Sequence, residues 1–162
     1  MAKQVLYTEG FRELAAHLRS LGRKLASRHL LRALMAGAKP IEADAKRRAP
    51  VLKMPDARRT PGTLRKNIRS KPMRRRPGED AAVKIGVRSL SGKTIAKFKR
   101  KSGQKAADNP NDPFYGPWVE RGTSKMAAQP FMRPALAAQK STALEAVRKK
   151  LAAGVEEEAR KR

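Results

Sequence analysis

DPFYGPWVERGTSKMAAQPFMRPAL, residues 112–136, holds the residues that decide how this chain folds. Phe114 to Glu120 reads as one short helix, and Gly122 follows where a positive φ can end it. Thr123 is placed to hydrogen-bond the turn, and Glu120 to accept bonds from nearby backbone donors or from an arginine. Pro134 suits the first turn of a following helix, where a missing N–H does no harm. The pattern is that of a joint between two helices rather than a catalytic site. Phe131 reads as core. Trp118, beside Pro117 in a chain poor in rings, reads as a contact for another subunit.

Working outward, the last helix runs from about Pro134 toward the C-terminus, with Leu136, Leu144, Val147, Leu151 and Val155 as its apolar stripe and a frayed end at EEEARKR. On the other side, Ser89 to Pro113 carries mostly Ser, Gly, Lys, Asn, Asp and Pro. Its large apolar residues are Leu90, Ile95 and Phe98, so a long basic flexible loop over about 89–113 is expected. Val83, Ile85 and Val87 alternate with polar neighbours as a half-buried strand does. Ile68 to Met73 is the expected antiparallel partner across RRRPGED. A second basic loop covers about 50–62, bounded by Ala49-Pro50 and rich in Pro.

Two helices are expected before it. Phe11, Leu14, Leu18, Leu21 and Leu25 recur at helical spacing. A longer stretch starts at Ser27 as N-cap and continues through Leu30, Leu31, Leu34, Ala38, Ile41 and Ala45, with Pro40 placed to kink it. The fold class is therefore α+β. Two N-terminal helices and a C-terminal helix pack on a small, mainly antiparallel sheet in a single domain over 1–162, with long basic loops.

The composition narrows the function. Apolar residues make up 40% of the 162, but aromatics only 4%, so the core is thin and partner subunits are expected to complete it. Cysteine is absent, which removes disulfides and thiolate metal sites. His17 and His29 lie on expected helices without metal-ligand spacing, and Glu42 with Asp44 and Glu79 with Asp80 read as ion pairs on solvated faces. Neither GxGxxG, GxxxxGK[ST] nor GxSxG occurs. The chain is expected not to be an enzyme and to need no cofactor or metal. No apolar run approaches the roughly 20 residues that span a bilayer. MAKQVLYTEG has no apolar h-region, so no membrane partner and no secretory export are expected.

Charge is the strongest signal: 39 Lys and Arg against 14 Asp and Glu give +25. Between Arg47 and Lys105 there are 20 basic and 3 acidic residues, a net of +17, so most of the excess lies in the middle of the chain. Arg58-Arg59, Arg65-Lys66, Arg74-Arg75-Arg76 and Lys99-Arg100-Lys101 form clusters suited to phosphate or to an acidic protein partner. Phe98 is the one ring among them, which disfavours base stacking and leaves backbone contact as the mode if DNA is touched.

The 112–136 segment resembles the neck and tail-completion proteins of tailed phages. These show a Tyr-containing helix, a Glu-x-Gly-Thr turn and a Pro-Phe-x-x-Pro-Ala helix start, matched here by Tyr115, Val119, Glu120, Gly122, Thr123, Pro130, Phe131, Pro134 and Ala135. Ala43, Ala45, Ala49-Pro50-Val51 and Gly62-x-Leu64-Arg65 are similar to the same family's helix end and loop. Leu52 to Pro61 departs from it as an insertion, and Arg121 replaces the usual aromatic or aliphatic residue before Gly-Thr. The resemblance implies a structural virion protein, assembled in the bacterial host cytoplasm. It would form a homo-oligomeric ring at the head-proximal end of the tail, six-fold by preference and twelve-fold as the alternative, between tail terminator or tail tube proteins and the head connector. Tyr115, Trp118, Val119, Glu120, Gly122, Thr123, Pro130, Phe131 and Pro134 would serve the subunit interface, with non-specific phage DNA contact as a further expectation. The other reading, resting on charge alone, is a sequence-independent architectural nucleic-acid-binding protein.

Overall fold

A computed structural model describes residues 23–51, 59–73 and 81–161. Its elements run α1 (Arg23–Arg48), α2 (Thr63–Asn67), β1 (Ile68–Pro72), β2 (Val83–Val87), α3 (Gly92–Ser102), a single 3₁₀ turn (Ala106–Asp108), α4 (Gly116–Arg121) and α5 (Met132–Ala159). The strands pair as a two-stranded sheet. Met73 N donates to Ala82 O at 2.9 Å and Arg88 N to Asn67 O at 2.7 Å, the spacing of an antiparallel hairpin. The α+β class stands, with the hairpin where alternation put it. No helix among the described residues is long and apolar enough to cross a membrane.

Several boundaries differ from the sequence reading. The expected first helix, Phe11 to Leu25, lies outside the described residues as far as Gly22, and its last apolar residue, Leu25, belongs to α1. Ser27 is not an N-cap: α1 is already helical at Arg23, and Ser27 is buried within it. The helix continues through Pro40, and Ala49-Pro50 ends it as expected. Residues 89–113 do not form one loop, because 92–102 is helical. Ser91 Oγ accepts Thr94 N at 3.2 Å, and Gly103, at φ 70°, returns its N–H to Lys99 O at 2.9 Å, so both ends of α3 are capped. Ile95 and Phe98, three residues apart, form the one-sided apolar face that a short amphipathic helix needs. At its other end the chain stays helical to Ala159, where Lys161 pairs with Glu157 and Glu158 at 2.8 and 3.1 Å.

The described chain divides into two compact units. In one, which holds α1 up to Lys39, residues 71–84 and α5 from Ser141, the two long helices meet along a seam of small residues. A Cβ on Gly37 would lie 2.5 Å from Val147 Cγ2 and 2.8 Å from the Ala143 carbonyl oxygen, and one on Gly154 would lie 2.5 Å from His29 Nδ1. His29 is buried there, with Nε2 at 3.2 Å from Glu158 Oε1. The seam, not leucine alone, sets which face of α5 is covered. Leu151 is buried, whereas Leu144 of the expected stripe is 46% exposed.

The other unit, Pro40–Ser70 with Ile85–Lys140, has a core of Ala45, Ala49, Leu64, Ile68, Phe131 and Ala135, edged by Val87, Tyr115, Val119 and Met132. Phe131 is its one large ring and is 1% exposed. Leu136, expected in the stripe, stands 55% exposed. Glu42, read from sequence as a plain ion pair, does more. It pairs with Lys46 and also accepts Ser70 N at 2.7 Å and Ser70 Oγ at 2.6 Å, fixing α1 to β1. Burial pushes its carboxyl up, and the bonds from Lys46 and Ser70 outweigh that and hold it below its ordinary value. Asp44 is likewise no solvated acid: it is buried and bridges Arg47 and Arg48 at 2.8 and 2.9 Å.

The Gly37 contact inverts an ordinary rule. In an open helix Gly→Ala stabilises by about 1 kcal/mol. Here the added methyl meets a backbone oxygen and Val147, and overpacking costs about 1–3 kcal/mol. Gly37→Ala is expected to lower the thermal midpoint followed by circular dichroism; a raised midpoint would show that the helices do not meet at this seam.

Candidate functional site

The joint between α4 and α5 is built from its glycines outward. Gly116 is buried at the start of α4, where a Cβ would come within 3.0 Å of Val87 Cγ2 and 3.1 Å of Leu64 Cδ1. Gly122 ends the helix at φ 78° and ψ 176°, a region open almost only to glycine, and a Cβ there would lie 2.9 Å from Ala128 N. The chain then doubles back. Thr123 N donates to Met126 O at 2.9 Å, Lys125 N to Thr123 Oγ1 at 3.2 Å, and Gln129 N to Val119 O at 2.8 Å. The turn read from Gly122-Thr123 forms as expected, and its result is to bring Pro130 and Phe131 alongside Glu120.

Glu120 then meets the opening of α5. Its Oε2 accepts Phe131 N at 2.7 Å and Met132 N at 2.9 Å, and its Oε1 accepts Arg133 N at 3.1 Å and Arg133 Nε at 3.3 Å. Arg133 Nη2 closes the loop on Glu120 O at 3.2 Å. A helix leaves its first four N–H groups without internal partners. Here three of them donate to one carboxylate, and the fourth residue, Pro134, has no N–H. The charge also sits at the positive end of the helix dipole. This explains why α5 begins at Met132, two residues before the start read from Pro134.

Desolvation pushes the Glu120 carboxyl up, but the bonds from Met132, Phe131 and Arg133 together hold it below its ordinary value. Because the folded value is depressed, the stabilisation is complete above the ordinary value near 4.5 and is lost as pH falls through the lower folded value.

The remaining motif residues divide by environment. Phe131 is core, Val119 and Tyr115 pack against it half-buried, Pro134 is half-buried, and Pro130 is exposed. Burial pushes the Tyr115 phenol up, against the Arg59 charge and a hydrogen bond with the Leu64 backbone. Trp118 is 51% exposed, and its ring meets Phe114 edge-on at 5.3 Å. Phe114 was not singled out from sequence, although its place four residues before Trp118 was a usable signal. Arg133 was also missed, since nothing in its spacing ties it to Glu120.

Arg58 and Arg74, Arg75 and Arg76 lie outside the described residues. Arg59 is engaged within the fold: its Cζ lies 4.8 Å over the Phe114 ring and its Nη1 donates to Asn109 O at 3.1 Å. Arg65 and Lys66 stand exposed on α2, and Lys99, Arg100 and Lys101 stand exposed on α3.

Glutamine keeps one acceptor oxygen but no charge, so the amides now shared between two carboxylate oxygens lose one acceptor and must in part find water at a half-buried helix start. With charged hydrogen bonds worth about 1.5–3 kcal/mol each and incomplete replacement, Glu120→Gln is expected to lower stability by about 2 kcal/mol at neutral pH. In denaturant titrations the gap from the parent chain should close as pH falls below the ordinary glutamate range. A gap that stays constant to low pH would mean the carboxylate charge contributes nothing.

Among known families, the model described as "Bacteriophage HK97-gp10, putative tail-component" matches residues 12–122. The match covers α1 through α4 and ends at Gly122, so Phe131 and Pro134 lie beyond it. Neither the curated proteins nor the solved structures contain a match. With more than half its length matched, and with the Glu-x-Gly turn built as described, the chain belongs to the HK97-gp10-like family of bacteriophage tail components.

Proposed function

We propose that this tail component is a non-catalytic assembly protein that forms a homo-oligomeric ring at the head-proximal end of the tail and joins the tail to the head connector. Family membership supports the tail, and with it the virion, as the place of action. The observation that carries the ring is Trp118: the only tryptophan of the chain is half out of the fold, edge-on to exposed Phe114, on a helix whose far end is fixed by Glu120. A rigid, exposed aromatic pair is the kind of anchor that dominates subunit interfaces. Six copies match a tail tube and are preferred, and twelve would match a portal.

The +25 charge shapes what this ring can touch. Identical copies repel one another, so the apolar anchor must be joined by neutralising neighbours, either acidic faces of adjoining tail and connector proteins or nucleic acid.

Trp118→Ala is expected to shift the mass measured by light scattering after size exclusion toward the monomer, with a thermal midpoint within a few degrees of the parent. An unchanged oligomer would remove Trp118 from the interface, and a collapse of folding would make it core. Deleting the gene should leave filled heads and separate or defective tails in electron micrographs of the lysate, and intact infectious particles would overturn the proposal.

A further inference from the structure

The helix α3, GKTIAKFKRKS, places five cations and no acid in eleven residues. Lys93, Lys97 and Arg100 fall at i, i+4 and i+7, within about 60° of arc and along a ridge about 10 Å long. Lys101 flanks the same face. Ile95 and Phe98 fall on the opposite side and are half-buried, while Lys93, Lys97, Lys99, Arg100 and Lys101 are all exposed. None of the five makes an ion pair among the described residues. At the end of α1, by contrast, Lys46, Arg47 and Arg48 are each paired to Glu42 or Asp44.

Such a helix works against itself. Lys93 with Lys97, Lys97 with Lys101, and Lys97 with Arg100 are like-charge neighbours, each costing about 0.2–0.5 kcal/mol. Caps at Ser91 and Gly103 hold the helix in spite of this. A ligand that neutralises the ridge relieves the repulsion and finds the helix that spaces the cations already formed.

We infer that the Lys93, Lys97 and Arg100 ridge of α3 binds the phosphates of duplex DNA without reading sequence. The ridge carries no aromatic residue to stack a base and no Asn, Gln, Asp or Glu to read adenine or cytosine, and its row of charged donors matches the phosphate oxygens of a backbone. It also lacks the apolar centre on which a protein interface is built, which disfavours an acidic protein as the ligand. Regularly spaced cations alone are what backbone contact requires. For the source of that DNA, the phage genome passing the joint, the inference rests on the proposed function; for the contact itself it does not.

The test is anisotropy of a labelled duplex of arbitrary sequence, titrated with the full chain at several salt concentrations. Two triple variants are compared with the parent: Lys93→Gln, Lys97→Gln, Arg100→Gln on α3, and Arg148→Gln, Lys149→Gln, Lys150→Gln on the exposed side of α5. Both remove equal charge, and glutamine keeps helix propensity while easing the repulsion in α3. The α3 variant should lose about three units of the slope of log affinity against log salt, so that its fall between about 50 and 200 mM salt is on the order of fortyfold smaller than the parent's. The α5 variant should keep the parent slope. Equal losses in both, no loss in the α3 variant, or no parent binding at low salt each overturn the inference. So does an α3 variant that keeps its DNA slope but loses binding to a glutamate-rich peptide. Light scattering on the same samples without DNA separates the two readings. A monomeric parent whose α3 variant still loses slope retires the ring and keeps the DNA contact, and a ring whose α3 variant keeps the slope does the reverse.

Discussion

Glu120 stands at the one place where the short helix α4, the Gly122 turn and the long helix α5 must agree. Three amides at the head of α5 converge on its two oxygens, and Pro134 removes the fourth donor that would otherwise need a partner. The consequence reaches the core. Fixing the amide of Phe131 fixes where its ring can go, and that ring is the one large side chain that Ala45, Ala49, Leu64, Ile68 and Ala135 enclose. In a chain with so few aromatics, losing the position of one ring removes most of what a unit's core encloses, and a buried Phe is worth about 3–5 kcal/mol against alanine.

The same scarcity explains the way the long helices are used. Where large side chains are lacking, α1 and α5 gain contact by close approach, with Gly37 and Gly154 leaving room for Val147 and His29. Small residues on one face leave the leucines of α5 divided, Leu151 inward and Leu144 outward. An exposed leucine is ordinary. An exposed tryptophan set edge-on to an exposed phenylalanine is less ordinary in a chain so poor in rings, and it is the feature on which the proposed subunit contact of α4 rests.

What was legible in the sequence followed from local rules. The Gly122 turn, the helix end at Ala49-Pro50 and the alternating hairpin depend on residues next to one another, and each forms as read. Ser89 to Pro113 was misread because its composition is that of a loop, whereas Ser91 and Gly103 cap a helix there and two apolar residues suffice for its face. Glu42 was read in part: its ion pair with Lys46 forms, but its other partner, Ser70, lies 28 residues away. Leu136 and Leu144 were misread because helical spacing gives a stripe but not which stretch of it is covered. Of the basic residues, sequence gave the clusters but not their fate: Arg59 is used within the fold, while Lys99, Arg100 and Lys101 are left outside on a preformed helix.

The account turns on the ionised Glu120 carboxylate holding the head of α5, and the most direct measurement is a pH titration of backbone amide resonances. The amides of Phe131, Met132 and Arg133 should move together with a single midpoint below the ordinary glutamate value near 4.5. Three unrelated midpoints, or a shared one at or above that value, would contradict it.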